Sequence, residues 1–150
     1  MASIGFKGGE KMQKILADIA RKAGGGELLR VGFLESAKYP DGTNVAQVAY
    51  WNEFGTKNAP PRPFFRNTIA AKSSKWGAAL GKSLAATAYS TKSAFGLVGT
   101  GIADQITQSI VEFSDPANAA STIKKKGFND PLIDDGTMQR RVEFDIQGGS

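Results

Sequence analysis

Few side chains in this sequence occur in combinations that could carry out chemistry. The chain contains no His and no Cys, so the commonest general base, the commonest transition-metal ligand and the thiolate nucleophile are all missing. Asp130, Asp134 and Asp135 could form an oxygen-ligand site for Mg²⁺ or Ca²⁺. Their spacing does not match a calcium-binding loop, and Pro131 and Gly136 lie among them, so turn and helix-cap roles are favoured. These features predict no metal or cofactor and agree with a protein that is not an enzyme, while a small enzyme that uses only carboxylates is the disfavoured alternative, because no paired carboxylates have suitable spacing.

Gly96, Gly99 and Gly101 resemble a phosphate-binding loop only superficially. Their order does not fit a dinucleotide-binding fingerprint, no predicted strand precedes them, and no Lys-Ser or Lys-Thr pair follows. We instead predict a flexible joint between two helices at these glycines.

The basic residues are concentrated in the centre of the chain. Of the total net charge of +5, residues 56–113 contribute seven basic and two acidic groups, a sum of +5. Lys72, Lys75 and Lys82 fall towards one face of a predicted helix in this segment. The favoured interpretation is that these lysines cover the solvent-exposed side of an amphipathic helix. The alternative is that they form a surface that faces phosphates. The lysine run 124–126 is predicted to be a solvated helix end.

Apolar periodicity predicts an α+β fold in which a small mixed sheet of about three strands packs with a long helix pair and shorter helices. The length of 150 residues fits a single domain over residues 1–150, with 147–150 as a flexible tail. The predicted order is a strand at residues 4–6, an amphipathic helix with Met12, Ile15, Leu16 and Ile19, a strand within 27–36, a helix between the cap Asn44 and Gly55, a long helix opened by Pro63, a second helix with Ile102, Ile106 and Ile110, a short helix from Asp115-Pro116, and a strand at 142–146.

The long helix is predicted from a single apolar stripe that includes Phe65, Trp76 and Leu84. Gly77 and Gly81 lie four residues apart in it. Because glycine inside a helix costs roughly 1 kcal/mol relative to alanine, we predict that both allow close helix packing, either within the subunit or between subunits.

Hydropathy predicts a protein that is neither secreted nor inserted in a membrane. No stretch approaches the roughly 18–20 continuous apolar residues of a membrane span. Residues 1–9 also lack the apolar core of a secretory signal.

Two segments carry a family resemblance. The first is VAYWNEFGT at residues 48–56, followed by PPRPFFR at residues 60–66, and the second is DPLIDDG at residues 130–136, which leads into the last predicted strand. Over residues 28–146 the chain resembles the tail-completion and head–tail joining (neck) proteins of long-tailed bacteriophages. In that family an acidic–aromatic–Gly-Thr turn ends a helix, a Pro-Arg-Pro-Phe element opens a long helix, and a Pro-Leu-Ile-Asp-Thr-Gly element precedes the last strand. Asp135 replaces the usual threonine here.

The resemblance implies a structural virion protein that completes the tail end and mediates head–tail joining as part of a ring around the DNA path. The expected partners are further copies in a hexameric ring, other neck, tail-terminator and tail-tube proteins, and phage DNA through non-specific contact, with no membrane. The expected location is the neck of the virion, after assembly in the host cytoplasm. The alternatives are a nucleic-acid-binding module that uses the basic central segment, and a tail-terminator or head-closure adaptor.

The proline-rich segment gives the predicted interface. Arg62 stands between Pro61 and Pro63 and offers a planar donor fork to a carboxylate of a neighbouring subunit. Phe65 is assigned to the core of its own subunit, which leaves Phe64 as the anchor in a partner. The alternative is that Arg62 pairs with Glu53 of the same chain and that Phe64 is a core residue. The predicted interface residues are Glu53, Arg62, Pro63, Phe64, Gly77 and Gly81, and those predicted to face the DNA path are Lys72, Lys75 and Lys82.

Overall fold

A computed structural model describes residues 9–149 of the chain. The elements are α1 (Gly9–Ala23), β1 (Leu28–Phe33), α2 (Val45–Phe54), α3 (Phe64–Lys72), a 3-10 turn (Ser73–Lys75), α4 (Trp76–Ala86), α5 (Thr91–Glu112), α6 (Ala120–Lys126), α7 (Thr137–Arg140) and β2 (Val142–Gln147). The chain is therefore a mixed α and β protein, as the periodicity predicts.

The sheet consists of two antiparallel strands in the described part of the chain. Leu28 of β1 pairs with Gln147 of β2, and Phe33 pairs with Val142. The prediction of about three strands is wrong for residues 9–149, because no third strand joins this pair. The strand predicted at residues 4–6 lies outside the described residues.

Helix α5 forms the centre of the fold. Its buried residues recur every three or four positions, as an apolar stripe requires, and they include Val98, Ile102, Ile106 and Ile110. The sheet, α3 and α4 all pack against this helix.

The flexible joint predicted at Gly96, Gly99 and Gly101 is wrong, because all three lie inside the continuous helix α5. A Cβ atom on Gly99 would lie 2.7 Å from Cγ of Phe144 in β2, so this glycine lets the sheet approach the helix. The helix pair instead breaks between α4 and α5, where Ala88 and Tyr89 have positive φ angles of 50° and 61°.

The long helix predicted from Pro63 is divided in two. Ser73–Lys75 form a 3-10 turn between α3 and α4, and serine favours such local backbone alternatives over a helix interior. The tighter turn of three residues changes the rotation of the following helix. Trp76 at the start of α4 consequently donates a hydrogen bond from Nε1 to Gln105 Oε1 of α5 at 2.9 Å.

The C-terminal elements require two smaller corrections. The short helix α6 begins at Ala120 and not at Asp115-Pro116, although it ends in the predicted lysine run, where Gly127 adopts a left-handed conformation. Gln147 is the last residue of β2, so the prediction of a flexible tail over residues 147–150 is wrong for residue 147.

Candidate assembly interface

Glu53 joins α2 to α3. Its side chain lies in the last turn of α2 and is only 6% exposed. Oε2 accepts a hydrogen bond from the backbone N–H of Phe65 at 2.9 Å, while Oε1 accepts from the backbone N–H of Arg66 at 3.1 Å and from its Nε at 2.7 Å. The carboxylate thus satisfies the first free N–H groups of α3 and lies at the positive end of its dipole.

These contacts correct the prediction that Glu53 belongs to a subunit interface. The carboxylate is buried and fully engaged within its own chain, so it is not available to a neighbour. Arg66, which the sequence reasoning did not single out, is its partner, and it also donates from Nη2 to the backbone carbonyl of Glu53 at 3.0 Å.

Gly55 fixes the turn that follows Glu53. Its φ angle of 77° lies in the region that favours glycine, and a Cβ atom there would lie 2.8 Å from the nitrogen of Pro61 and 2.9 Å from the carbonyl oxygen of Ala59. The backbone N–H of Arg62 then donates to the carbonyl of Asn52 at 2.6 Å. The Glu-Phe-Gly-Thr and Pro-Arg-Pro-Phe elements therefore form one packed corner, which we call the α2–α3 corner (residues 52–66).

Phe64 is a core residue, which corrects its predicted role as an anchor in a partner. Its side chain is 1% exposed, and its ring packs edge-on against Phe33 at a centroid distance of 6.3 Å. Phe65 is half-buried and packs against the same core, as predicted. Both phenylalanines therefore stabilise the subunit itself.

The alternative to the interface role is half right: Phe64 is a core residue, as that alternative predicts, but Glu53 pairs with Arg66 and not with Arg62. The Nε of Arg62 donates to the backbone carbonyl of Pro116 at 3.3 Å, and partial burial lowers the pKa of the guanidinium below its ordinary value. Pro63 is half-buried and directly precedes α3. Contact of Arg62 or Pro63 with another subunit stays a prediction.

The segment 130–136 serves as a turn and a helix cap, as the sequence favours. Asp135 Oδ1 accepts a hydrogen bond from the backbone N–H of Thr137 at 2.8 Å, and this bond holds the pKa of the Asp135 carboxyl below its usual range. Leu132 is buried in the core. Within residues 9–149, no cluster of three acidic side chains is placed to hold a metal ion.

The second face of α2 carries an exposed aromatic patch. Tyr50, Trp51 and Phe54 are 58%, 46% and 52% exposed, and the rings of Tyr50 and Phe54 lie 4.7 Å apart. The guanidinium of Arg66 lies over the ring of Phe54, with its Cζ 4.7 Å from the ring centroid. A buried Glu53 thus positions, through Arg66, an aromatic surface that is open to a partner.

An apolar groove begins at this patch and runs between α2 and α3. Its volume is about 240 Å³. The walls come from β1, α2 and α3, and we call it the α2–α3 groove, lined mainly by Phe33, Ala46, Ala49, Tyr50, Phe54 and Phe65.

Sequence reasoning missed the aromatic patch, although the sequence contains the signal. At 100° per residue, Tyr50, Trp51 and Phe54 fall opposite the predicted core face of α2, which carries Val45 and Ala49. A solvated helix would carry polar residues there. Large aromatic side chains on that face indicate a binding surface.

Helix α1 carries the second exposed apolar surface. None of its residues is buried, and Met12, Ile15 and Leu16 are 52%, 51% and 57% exposed. The concave part of this surface is lined by residues of α1 alone within the described chain. The other end of α1 is held to α5, where Thr91 Oγ1 donates to the carbonyl of Lys22 at 3.1 Å.

Lys72, Lys75 and Lys82 are all exposed, but they lie on α3, the 3-10 turn and α4 respectively. The turn interrupts the helical rotation on which their shared face was predicted. None of the three forms a salt bridge with another residue of the described chain. Their contact with DNA stays a prediction.

Gly77 and Gly81 are exposed on α4, and a Cβ atom on either would meet nothing within 4 Å. The part of the prediction that placed close packing within the subunit is therefore wrong for residues 9–149. Packing of these glycines against another subunit remains a prediction.

No helix between residues 9 and 149 combines the length and the apolar character needed to cross a bilayer. Comparison with known proteins gives no match: no protein-family model fits the sequence, and no curated protein or solved structure is significantly similar to it. The resemblance to phage neck proteins therefore depends on the two motif segments of the sequence and stays a prediction.

Proposed function

We propose that this chain is a structural virion protein of a tailed bacteriophage. It completes the tail end and mediates head–tail joining, as a subunit of a homo-oligomeric ring around the DNA path, with no catalytic role. Its partners are further copies of itself and the neck, tail-terminator and tail-tube proteins next to the ring.

The observation that carries the proposal is the meeting of the two motif segments on one helix. Glu53 and Asn52 at the end of α2 hold the Pro-Arg-Pro-Phe segment. Val48 and Asn52 of α2 also line a small cavity of about 100 Å³ together with Leu132 and Gly136 of the second motif. Segments separated by more than sixty residues in the sequence thus build one unit around α2, which supports treating them as a single family signature.

The chemistry of this unit favours assembly over catalysis. The buried carboxylate of Glu53 is engaged by three N–H donors, and Asp135 accepts a hydrogen bond from the first backbone N–H of α7, that of Thr137. Beside these engaged groups lie exposed aromatic side chains, of the residue types that are enriched at the centres of protein interfaces.

Deletion of the coding sequence from the phage or prophage that carries it tests the proposal. We expect filled heads and tails that do not join, visible by electron microscopy of the lysate, and recovery when the wild-type chain is supplied from a plasmid. Normal titres from the deletion, or absence of the chain from purified particles, would contradict the proposal. A neck reconstruction with six copies would support a hexamer, and a single copy would exclude a ring.

A nucleic-acid-binding module is the second candidate, and the exposed lysines without salt bridges favour it. The two candidates differ in their dependence on salt, because phosphate contacts release counterions. A self-sufficient DNA binder should keep its affinity near physiological salt. A ring subunit that only lines a DNA path should bind weakly as the isolated chain.

A further inference from the structure

Two apolar surfaces of this chain lie at opposite ends of α5. The α2–α3 groove lies next to Phe64, whose carbonyl accepts a hydrogen bond from Ser109 Oγ at 3.0 Å. Helix α1 is attached at Thr91 through the carbonyl of Lys22. Thr91 and Ser109 are separated by about 27 Å at 1.5 Å per helical residue.

Helix α1 cannot fill the groove of its own chain while this attachment holds. Met12 is ten residues from Lys22, which corresponds to about 15 Å along the helix. This reach is shorter than the length of α5 between the two attachment points. Any helix of this type in the groove must therefore come from another molecule.

The apolar face of α1 has the spacing that grooves of this kind accept. Met12, Ile15, Leu16 and Ile19 follow the i, i+3, i+4, i+7 pattern of helices that dock into hydrophobic grooves. An apolar cavity of about 150 Å³ holds a benzene ring, so a groove of about 240 Å³ has room for at least one side chain of the size of Ile15 or Leu16.

We propose that α1 of one copy docks into the α2–α3 groove of the next copy. The contact joins two different surfaces of the same chain, so repetition produces a ring or an open filament, according to the rotation between neighbours. The inference rests on the proposed function, which requires a ring, and it names the two surfaces that form the ring contact. Leu16 and Ile15 enter beside Tyr50 and Phe54.

Cross-linking between two single-cysteine variants tests this contact, since the natural chain has no cysteine. Lys11→Cys places a thiol beside the apolar face of α1, and Gln47→Cys places one on α2 beside the aromatic patch. The two purified variants are mixed and treated with a short bismaleimide, with a mass tag on one of them. The matched control pairs Lys11→Cys with Lys82→Cys, whose thiol lies on the exposed surface of α4.

We expect the mixed dimer from Lys11→Cys and Gln47→Cys to exceed that of the control about tenfold, because docked thiols meet at an effective concentration in the millimolar range. Leu16→Asp added to the first variant, or Tyr50→Asp added to the second, should return the yield to the control level. Both positions are exposed, so circular dichroism should show an unchanged fold.

Mixed dimers at the control level would overturn the docking, as would a product dominated by two Lys11→Cys chains, which would mean that α1 pairs with itself. If α1 binds another neck protein or a lipid surface, the mixed dimer also stays at the control level. These outcomes leave the neck role intact. Absence of the chain from purified particles would instead end the neck role without affecting the cross-link.

Discussion

The α2–α3 corner and helix α1 are organised in opposite ways. In the corner, Glu53 and Phe64 are almost fully buried and every oxygen of the carboxylate is bonded. In α1 no residue is buried, and three large apolar side chains are about half exposed. The corner therefore stabilises the fold, whereas exposed apolar surfaces lie in α1 and on the outer face of α2.

The largest effect that tests this difference is expected from Phe64→Ala. Truncation of a fully buried phenylalanine should lower the free energy of unfolding by about 3–5 kcal/mol. Phe54→Ala is the matched control, because Phe54 is 52% exposed, and we expect it to change stability far less. Thermal and urea unfolding measure both. Equal losses for the two variants would remove the distinction between core and assembly surface.

A smaller loss is expected from Glu53→Gln. The neutral amide keeps the shape of the side chain but weakens the hydrogen bonds from Arg66 and from the start of α3, which should cost about 2–3 kcal/mol. Arg66 is itself 55% exposed in its side chain, so solvent screens part of the ion pair. Glu35→Gln at an exposed position should leave urea unfolding unchanged. A Glu53→Gln variant as stable as the wild type would show that the corner does not depend on this carboxylate.

Helix α5 allows the same comparison between its inner and outer faces. Gly99→Ala would push a methyl group against Phe144 and Leu29, and we expect a loss of about 1–2 kcal/mol from overpacking. Gly101→Ala points into open space and should stabilise the helix by up to about 1 kcal/mol. Differential scanning calorimetry of the two variants measures the change in stability of each. Changes of opposite sign in the free energy of unfolding are the expected result, and equal changes would contradict the close contact of Phe144 with Gly99.

The smallest effect on stability is expected from replacing Lys72, Lys75 and Lys82 together with Glu. All three are exposed, so unfolding should stay within about 0.5 kcal/mol of the wild type. If they face the DNA path, infected cells should show impaired DNA retention or passage and lower titres, and the salt dependence of DNA binding should weaken. Normal titres would leave them as solvated surface lysines.

Local patterns in the sequence predict much of this fold. Asn44 accepts a hydrogen bond from the backbone N–H of Gln47 at 3.3 Å and Gly55 ends α2, as capping rules indicate. Both described strands occur where the alternation of apolar residues places them. Such features depend on neighbours within a few positions, so a single sequence contains them.

The errors occurred where distant contacts decide the conformation. Glycine in a helical pattern usually indicates a break in the helix. Gly99 instead allows Phe144 to pack closely against α5, and this contact joins residues 45 positions apart. Phe64 is predicted to be a surface anchor because the helical stripe runs through Phe65, but the structure buries Phe64 against Phe33 of β1, a contact across 31 positions. The alternative prediction pairs Glu53 with Arg62, whereas its partner in the structure is Arg66. Spacing in the sequence alone does not distinguish two arginines that lie on either side of a helix start.

The pairing of β1 with β2 also determines when the subunit can complete its folding during synthesis. Leu28 pairs with Gln147, which is added 119 residues later, and at 5–20 residues per second the ribosome needs at least about 6 s to make the chain between them. Helix α5 is made before β2, so until Phe144 is added the side of α5 around Gly99 can be contacted by Leu29 of β1 but not by β2. Long-range pairings of this kind are made late in folding. A chain that stops before residue 142 therefore lacks the partner of β1 and cannot form this sheet.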